Sequence, residues 1–298
     1  MSGCGPLLAF TLQEFLAKDI PPRQMLLVPC IAQQSVVMIH AERGIGKTYV
    51  ALGIGFAVAS GRTFLRWSAP EPRGVLYVDG EMSAIMMQER LRGTLASHDE
   101  CLPVGQFRII TPDFQSSGMP NLILKEDQAA LLDLITDDIE LVILDNISTL
   151  VRGGEENTAD DWEPVQEFVL ALKVKGKSVL FIHHSGKGGG QRGTSKREDV
   201  ADTVIRLKRP RQYSPSEGAR FIVEYEKTRD FLREEAEPFE AHLVNGVWQV
   251  KLPEQKAYSK IVLLAKEGKK QHEIAEIVGV NKSTVSRHLG AAKEKGEL

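Results

Sequence analysis

A short apolar run, Ser35-Val-Val-Met-Ile-His40, leads straight into Ala41-Glu-Arg-Gly-Ile-Gly-Lys-Thr48 and then into an Ala-, Leu-, Val- and Ile-rich stretch from Tyr49 to Ser60. Strand, glycine-bearing turn and helix in that order leave the chain few choices. Such a turn gathers backbone N–H groups and a helix N-terminus around one point, which makes an anion site. The segment fits G-x-x-x-x-G-K-T with one departure, Ala41 at the first position. A methyl group is acceptable there if the residue keeps ordinary dihedrals, and Gly44 and Gly46 retain the tight curvature. The pattern makes Arg43, Gly44, Ile45, Gly46, Lys47, Thr48 and Tyr49 the expected nucleotide cradle. Lys47 would reach the β- and γ-phosphates and Thr48 would hold Mg²⁺, so ATP and Mg²⁺ are the expected ligands.

The rest of the chain repeats the alternation. Apolar strands are expected at Gly74–Asp79, Phe107–Thr111, Leu141–Asp145, Ser178–His183, Ala201–Arg206 and Arg220–Glu226, with helices near Met86–Leu95 and Trp162–Lys173. Short apolar strands separated by helices describe a mostly parallel, twisted α/β sheet. The last two strands, joined through a Pro-containing loop, read as an antiparallel extension. Residues 1–34 form a lead-in with a Thr11/Glu14 capping box, and 35–250 form one α/β domain.

In this frame the carboxyl ends of the strands carry the chemistry. Asp145 ends an apolar strand and is the best candidate for orienting Mg²⁺ beside Thr48. The next residue is Asn146 rather than an acid, so the base for water must come from elsewhere. Glu81, just past the second strand, is the natural choice and Asp79 a lesser rival. His183 and His184 end the following strand and are candidate γ-phosphate sensors, with His183 slightly favoured. Arg192, in the Gly186–Gly193 region, could neutralise γ-phosphate charge, as could Lys227 and Arg229.

These residues in this order resemble the RecA-like P-loop ATPases, and within them the RepA-type plasmid replicative helicases and their phage and bacterial relatives. The resemblance spans roughly residues 20–245 and rests on Ala41–Thr48, Tyr77-Val-Asp-Gly-Glu81, Leu141–Asn146, His183–Lys187 and Gln191–Ser195. It implies that Glu81 is the catalytic base, that the histidine pair senses the γ-phosphate, and that Arg192 reaches an adjacent subunit. Lys227-Thr-Arg229 is similar to an interface pair of some ring helicases. It also implies a homo-oligomer, a hexameric ring, with single-stranded DNA through the channel.

Past Trp248 the pattern changes. Residues 256–298 hold nine Lys/Arg against five Glu, a net of +4, which leaves −7 on the remainder of a chain of net −3. Helical stretches at Lys256–Lys266, Gln271–Val278 and Lys282–Ala291, with Gly279 between the last two, have helix-turn-helix spacing. The passage resembles the tri-helical helix-turn-helix of resolvases and many transcription regulators. Its last helix is expected to expose Lys282, Ser283, Thr284, Ser286, Arg287 and His288 to duplex DNA, while Val285 and Leu289 face the core.

With 42% apolar and 26% charged residues and no apolar run of 18, the sequence excludes a fibre, a disordered chain and a membrane span. Three irregularly spaced cysteines make no zinc knuckle. No leader is read at the N-terminus, and the expected location is the cytoplasm. Three functions fit: an ATP-driven DNA motor or helicase, a non-motor DNA-binding ATPase acting as initiator, loader or switch, and, least well, a small-molecule kinase.

Overall fold

The computed structural model describes residues 7–96, 106–153, 159–185, 199–231, 235–252 and 254–298. Nine strands form one sheet: β1 (Val36–Ala41), β2 (Gly74–Asp79), β3 (Phe107–Ile110), β4 (Ile139–Asp145), β5 (Ser178–His184), β6 (Thr203–Lys208), β7 (Arg220–Thr228), β8 (Phe239–Val244) and β9 (Val247–Lys251). Their order is β9-β8-β7-β6-β1-β5-β4-β2-β3. Strands β6, β1, β5, β4, β2 and β3 run parallel. From β6 onward the neighbours β7, β8 and β9 are antiparallel. This corrects the expected extension: β6 still belongs to the parallel part, one strand beyond the phosphate-loop strand. The β8–β9 hairpin, split by Asn245-Gly246 in positive φ, was not foreseen.

Each central strand is buried on both sides, so period-2 alternation sorts its side chains between two cores. Val37, Ile39 and Ala41 of β1 join Leu180 and Ile182 of β5 and Leu141 and Ile143 of β4 under helix α2 (Lys47–Ser60). Val36, Met38, Val179, Phe181, Val142 and Leu144 face the other way, against α6 (Ala159–Val174). The first face carries the phosphate loop. Asp79, Asp145 and His184 fall on it by the same parity.

Among the described residues the other α-helices are α1 (Leu12–Leu16), α3 (Ala84–Ala96), α4 (Lys125–Leu134) and α5 (Ile147–Leu150), then α7 (Glu254–Lys266), α8 (Gln271–Val278) and α9 (Lys282–Glu294). The Thr11/Glu14 capping box opens α1 as expected. The last three helices enclose their own core of Ala257, Ile261, Ile274, Ala275, Val278 and Val285. Gly279 ends α8 at φ +71°, a left-handed cap, and Asn281 caps α9 by accepting from Thr284 N at 2.9 Å. Among the described residues no helix is long and apolar enough to cross a membrane.

Candidate functional site

Gly46 holds φ +111° at the start of α2, and a Cβ there would lie 2.9 Å from the Ala219 Cβ. Both facts require glycine. The turn it permits places Lys47 against its own loop. The Lys47 Nζ donates to the carbonyls of Ala41 at 3.0 Å and Glu42 at 2.7 Å. Burial pushes the Lys47 ammonium down to about 8, partly opposed by the negative charges of Asp145 and Glu81.

Asp145 is 5% exposed at the end of β4. Burial raises its carboxyl to about 6, against the pull of hydrogen bonds from Tyr77 and Thr48 and of the Lys47 charge. The Tyr77 hydroxyl donates to Asp145 Oδ2 at 2.6 Å. Sequence reasoning gave Tyr77 no role of its own. Parity was the available signal, since Tyr77 lies on β2 two residues before Asp79 and shares its face.

Asp79 is committed elsewhere. Its Oδ1 accepts from the backbone N–H of Glu81 at 2.8 Å and of Met82 at 2.6 Å, which folds the turn after β2. Gly80 packs so closely that a Cβ would meet Thr149 Oγ1 at 2.2 Å. The turn projects Glu81, an exposed side chain, where Asn146 Nδ2 donates to its Oε2 at 2.7 Å. Turn formation explains why Asp79 is the poorer candidate for base.

Arg43, Gly44, Gly46, Lys47, Thr48, Tyr49, Asp79, Glu81, Asp145, Asn146 and His184 line one cavity of about 790 Å³. Ile45, by contrast, is buried in the core beneath the loop. An adjoining, more apolar cavity of about 400 Å³ shares Tyr49, Met86 and Arg90 with it and continues to Phe56, Phe64 and Trp248. The Arg90 guanidinium sits 4.8 Å from the Tyr49 ring centre between them. Thr48 and Asp145 offer a hydroxyl and a carboxylate side by side, hard oxygen donors of the kind that hold Mg²⁺ together with substrate phosphates.

The preference for His183 is corrected. His183 is 2% exposed and points to the α6 face, whereas His184 lies on the loop face and lines the cavity. Lys227 and Arg229 are not brought to this site. Antiparallel β7 carries them away from the phosphate loop: Lys227 pairs with Val204, which is level with Met38, and Arg229 N bonds the Asp202 carbonyl beyond the start of β6. Arg192 and the Gly186–Gly193 region lie outside the described residues. Arg209, which sequence reasoning missed, follows β6 and stands beside the loop, 3.7 Å from the Glu42 carboxylate and 4.1 Å from the Tyr213 ring centre.

On α9, Lys282, Ser283, Ser286 and Arg287 are exposed and Thr284 is half-buried. His288 is a correction. It is 7% exposed and packs edge-on against Tyr258 of α7, with ring centres 5.6 Å apart. Residue 288 lies three positions after Val285, which places it on the inward face.

A family model described as "AAA domain" matches residues 6–190, well over half of the chain. The chain belongs to that family. A second model, "Bacterial regulatory protein, arsR family", matches residues 261–296. A search of curated proteins finds no significant match. Among solved structures, a KaiC-like protein of Pyrococcus horikoshii aligns at 15% identity and TM-score 0.55, covering 76% of this chain and 93% of its own. The flagellar accessory protein FlaH of Methanocaldococcus jannaschii aligns at 14% and 0.51, covering 74% and 90%. The RadB recombinase aligns at 16% and 0.50, covering 72% and 90%. The fold is therefore a RecA-like P-loop NTPase core followed by a small tri-helical helix-turn-helix domain. The general activity that goes with this AAA domain is ATP binding and hydrolysis.

Proposed function

We propose that this chain hydrolyses ATP in order to move on DNA, as a ring-forming replicative motor of a plasmid, phage or integrated element. The observation that carries the reading is the union in one chain of two sets of groups. Lys47, Thr48, Asp145, Glu81 and His184 surround one cavity, and α9 exposes Lys282, Ser283, Ser286 and Arg287. In this reading the triphosphate lies along the loop with Lys47 on its β- and γ-phosphates. Thr48 and Asp145 would hold Mg²⁺, which when bound offsets phosphate charge. Glu81 takes a proton from the attacking water, and His184 donates to the γ-phosphate. The Tyr49, Met86 and Arg90 wall receives the base.

Lys227 and Arg229 end away from their own phosphate loop, so any part they play in hydrolysis is at a neighbour's site. Arg192 is assigned the same service. A hexamer supplies such neighbours around a closed ring, with single-stranded DNA in the channel, and the C-terminal domain binds duplex. Residues 35–250 then act as the motor and 256–298 as the DNA-binding domain, working in the cytoplasm.

The likeness of residues 261–296 to a regulatory-protein family favours a second reading, a non-motor ATPase that uses nucleotide to switch duplex binding. Strand displacement with ATP separates the two. The motor reading expects unwinding that Lys47→Ala abolishes. DNA-stimulated ATPase without unwinding overturns it in favour of the switch, and phosphate transfer to an acceptor other than water overturns both. Glu81→Gln is expected to stop turnover while sparing ATP binding, and normal turnover would remove Glu81 from the role of base.

A further inference from the structure

Asn146 occupies the position after the strand-ending Asp145 where an acid could have served as base, and it is not idle there. The residue is 3% exposed, and its Nδ2 donates to Glu81 Oε2 at 2.7 Å. A carboxylate can only accept, so the amide orientation is fixed by chemistry. Its Oδ1 is buried, and no hydrogen-bond partner for it exists among the described residues. Buried amide oxygens are nearly always satisfied, and an exception at a site wall calls for a reason.

The two partners are unequal. Glu81 is exposed on a turn, and a free glutamate samples several rotamers. Asn146 is rigid: it follows β4, and its backbone carbonyl accepts from Thr149 N at 3.2 Å and Leu150 N at 3.3 Å at the start of α5. Its side chain takes no part in capping that helix. A fixed donor therefore holds a mobile carboxylate by one oxygen and leaves the other for water.

We infer that Asn146 is a positioning residue for the catalytic base, setting the direction of the Glu81 carboxylate before ATP arrives. The inference rests on the reading of Glu81 as base. Orientation errors of about 1 Å cost on the order of 100-fold in rate. Removing the donor is thus expected to lower kcat by roughly 10- to 100-fold while leaving KM for ATP within about twofold.

The test is steady-state ATPase of Asn146→Ala and Asn146→Asp in the full chain, with thermal melting beside it. Asn146→Asp keeps the shape but puts a second carboxylate against Glu81. It is expected to lose at least as much kcat as Asn146→Ala, an ordering that mere space-filling would reverse. A double-mutant cycle completes the experiment: the slow residual hydrolysis of Glu81→Gln, followed in a single turnover, is expected to change less than twofold when Asn146→Ala is added. Wild-type kcat in both Asn146 variants, a rise in kcat, or a loss shared equally with ATP affinity or melting temperature overturns the positioning role. If Glu81→Gln turns over normally, the base assignment itself fails, whatever the Asn146 variants do.

Discussion

Replacing Asp145 by Asn should stabilise the protein without ligand while disabling it. The carboxyl stands at about 6 in the fold, against an ordinary 3.8, because burial outweighs the help from Tyr77, Thr48 and Lys47. At 1.36 kcal/mol per pH unit, ionising it in place costs about 3 kcal/mol. That figure already contains the attraction of Lys47. The sign follows from proton counting. The folded state binds the extra proton between these two values, so its contribution is present below pH 3.8 and is lost as pH rises through 6. Asparagine keeps an oxygen that can accept from Tyr77 but never ionises. The stability gap between Asp145→Asn and wild type should be about half developed at pH 5 and complete above about pH 7. At about 2–4 °C per kcal/mol, the plateau is about 6–12 °C. Thermal melts from pH 4 to 8 without nucleotide or Mg²⁺ measure it. Added Mg²⁺ and ATP should then favour the wild type, since ligand stabilises only the form that binds it. A gap that does not change with pH, or a variant less stable at pH 7.5, refutes the reasoning.

Three further outcomes follow from other contacts. His184→Ala should lower ATP turnover with little change in melting temperature, whereas His183→Ala should act mainly on stability, and the two together are read by paired ATPase and melting assays. Gly80→Ala would drive a methyl group to 2.2 Å from Thr149 Oγ1 and should cost about 1–3 kcal/mol in chemical denaturation while displacing Glu81 enough to reduce turnover. Arg287→Ala should weaken duplex DNA binding and flatten its salt dependence by about one charge, leaving ATPase untouched, as salt titrations of affinity would show.

The sheet and the phosphate loop were legible because their sequence signals are local. Gly44, Gly46, Lys47 and Thr48 announce a turn between strand and helix, and an apolar run ending in Asp145 fixes its own direction. What escaped the sequence depends on pairing across the fold. His183 and His184 differ by one residue, and only the sheet's two-core packing decides which of them lines the cavity beside Lys47. Lys227 and Arg229, read as an interface pair, follow antiparallel β7 away from the phosphate loop of their own chain, a direction that only strand pairing reveals. His288 looked exposed because it is polar, but three-residue spacing from Val285 turns it toward Tyr258. Asn146 was visible as a missing acid. Its bond to Glu81 required knowing that β2 and β4 are neighbours, with Asp79 beside Asp145.

Lys47 is stripped of much of its hydration, with two carbonyl dipoles of its own loop standing in for water. Under the proposed function, an incoming phosphate would compete with the peptide backbone for a dehydrated cation and be spared most of the work of clearing solvent from it. Recognition becomes an exchange of weak oxygen acceptors for strong ones within a fixed shell. In the proposed reading, selectivity would then fall on charge density: a triphosphate displaces two amide oxygens, and an ordinary polar metabolite of the same size does not.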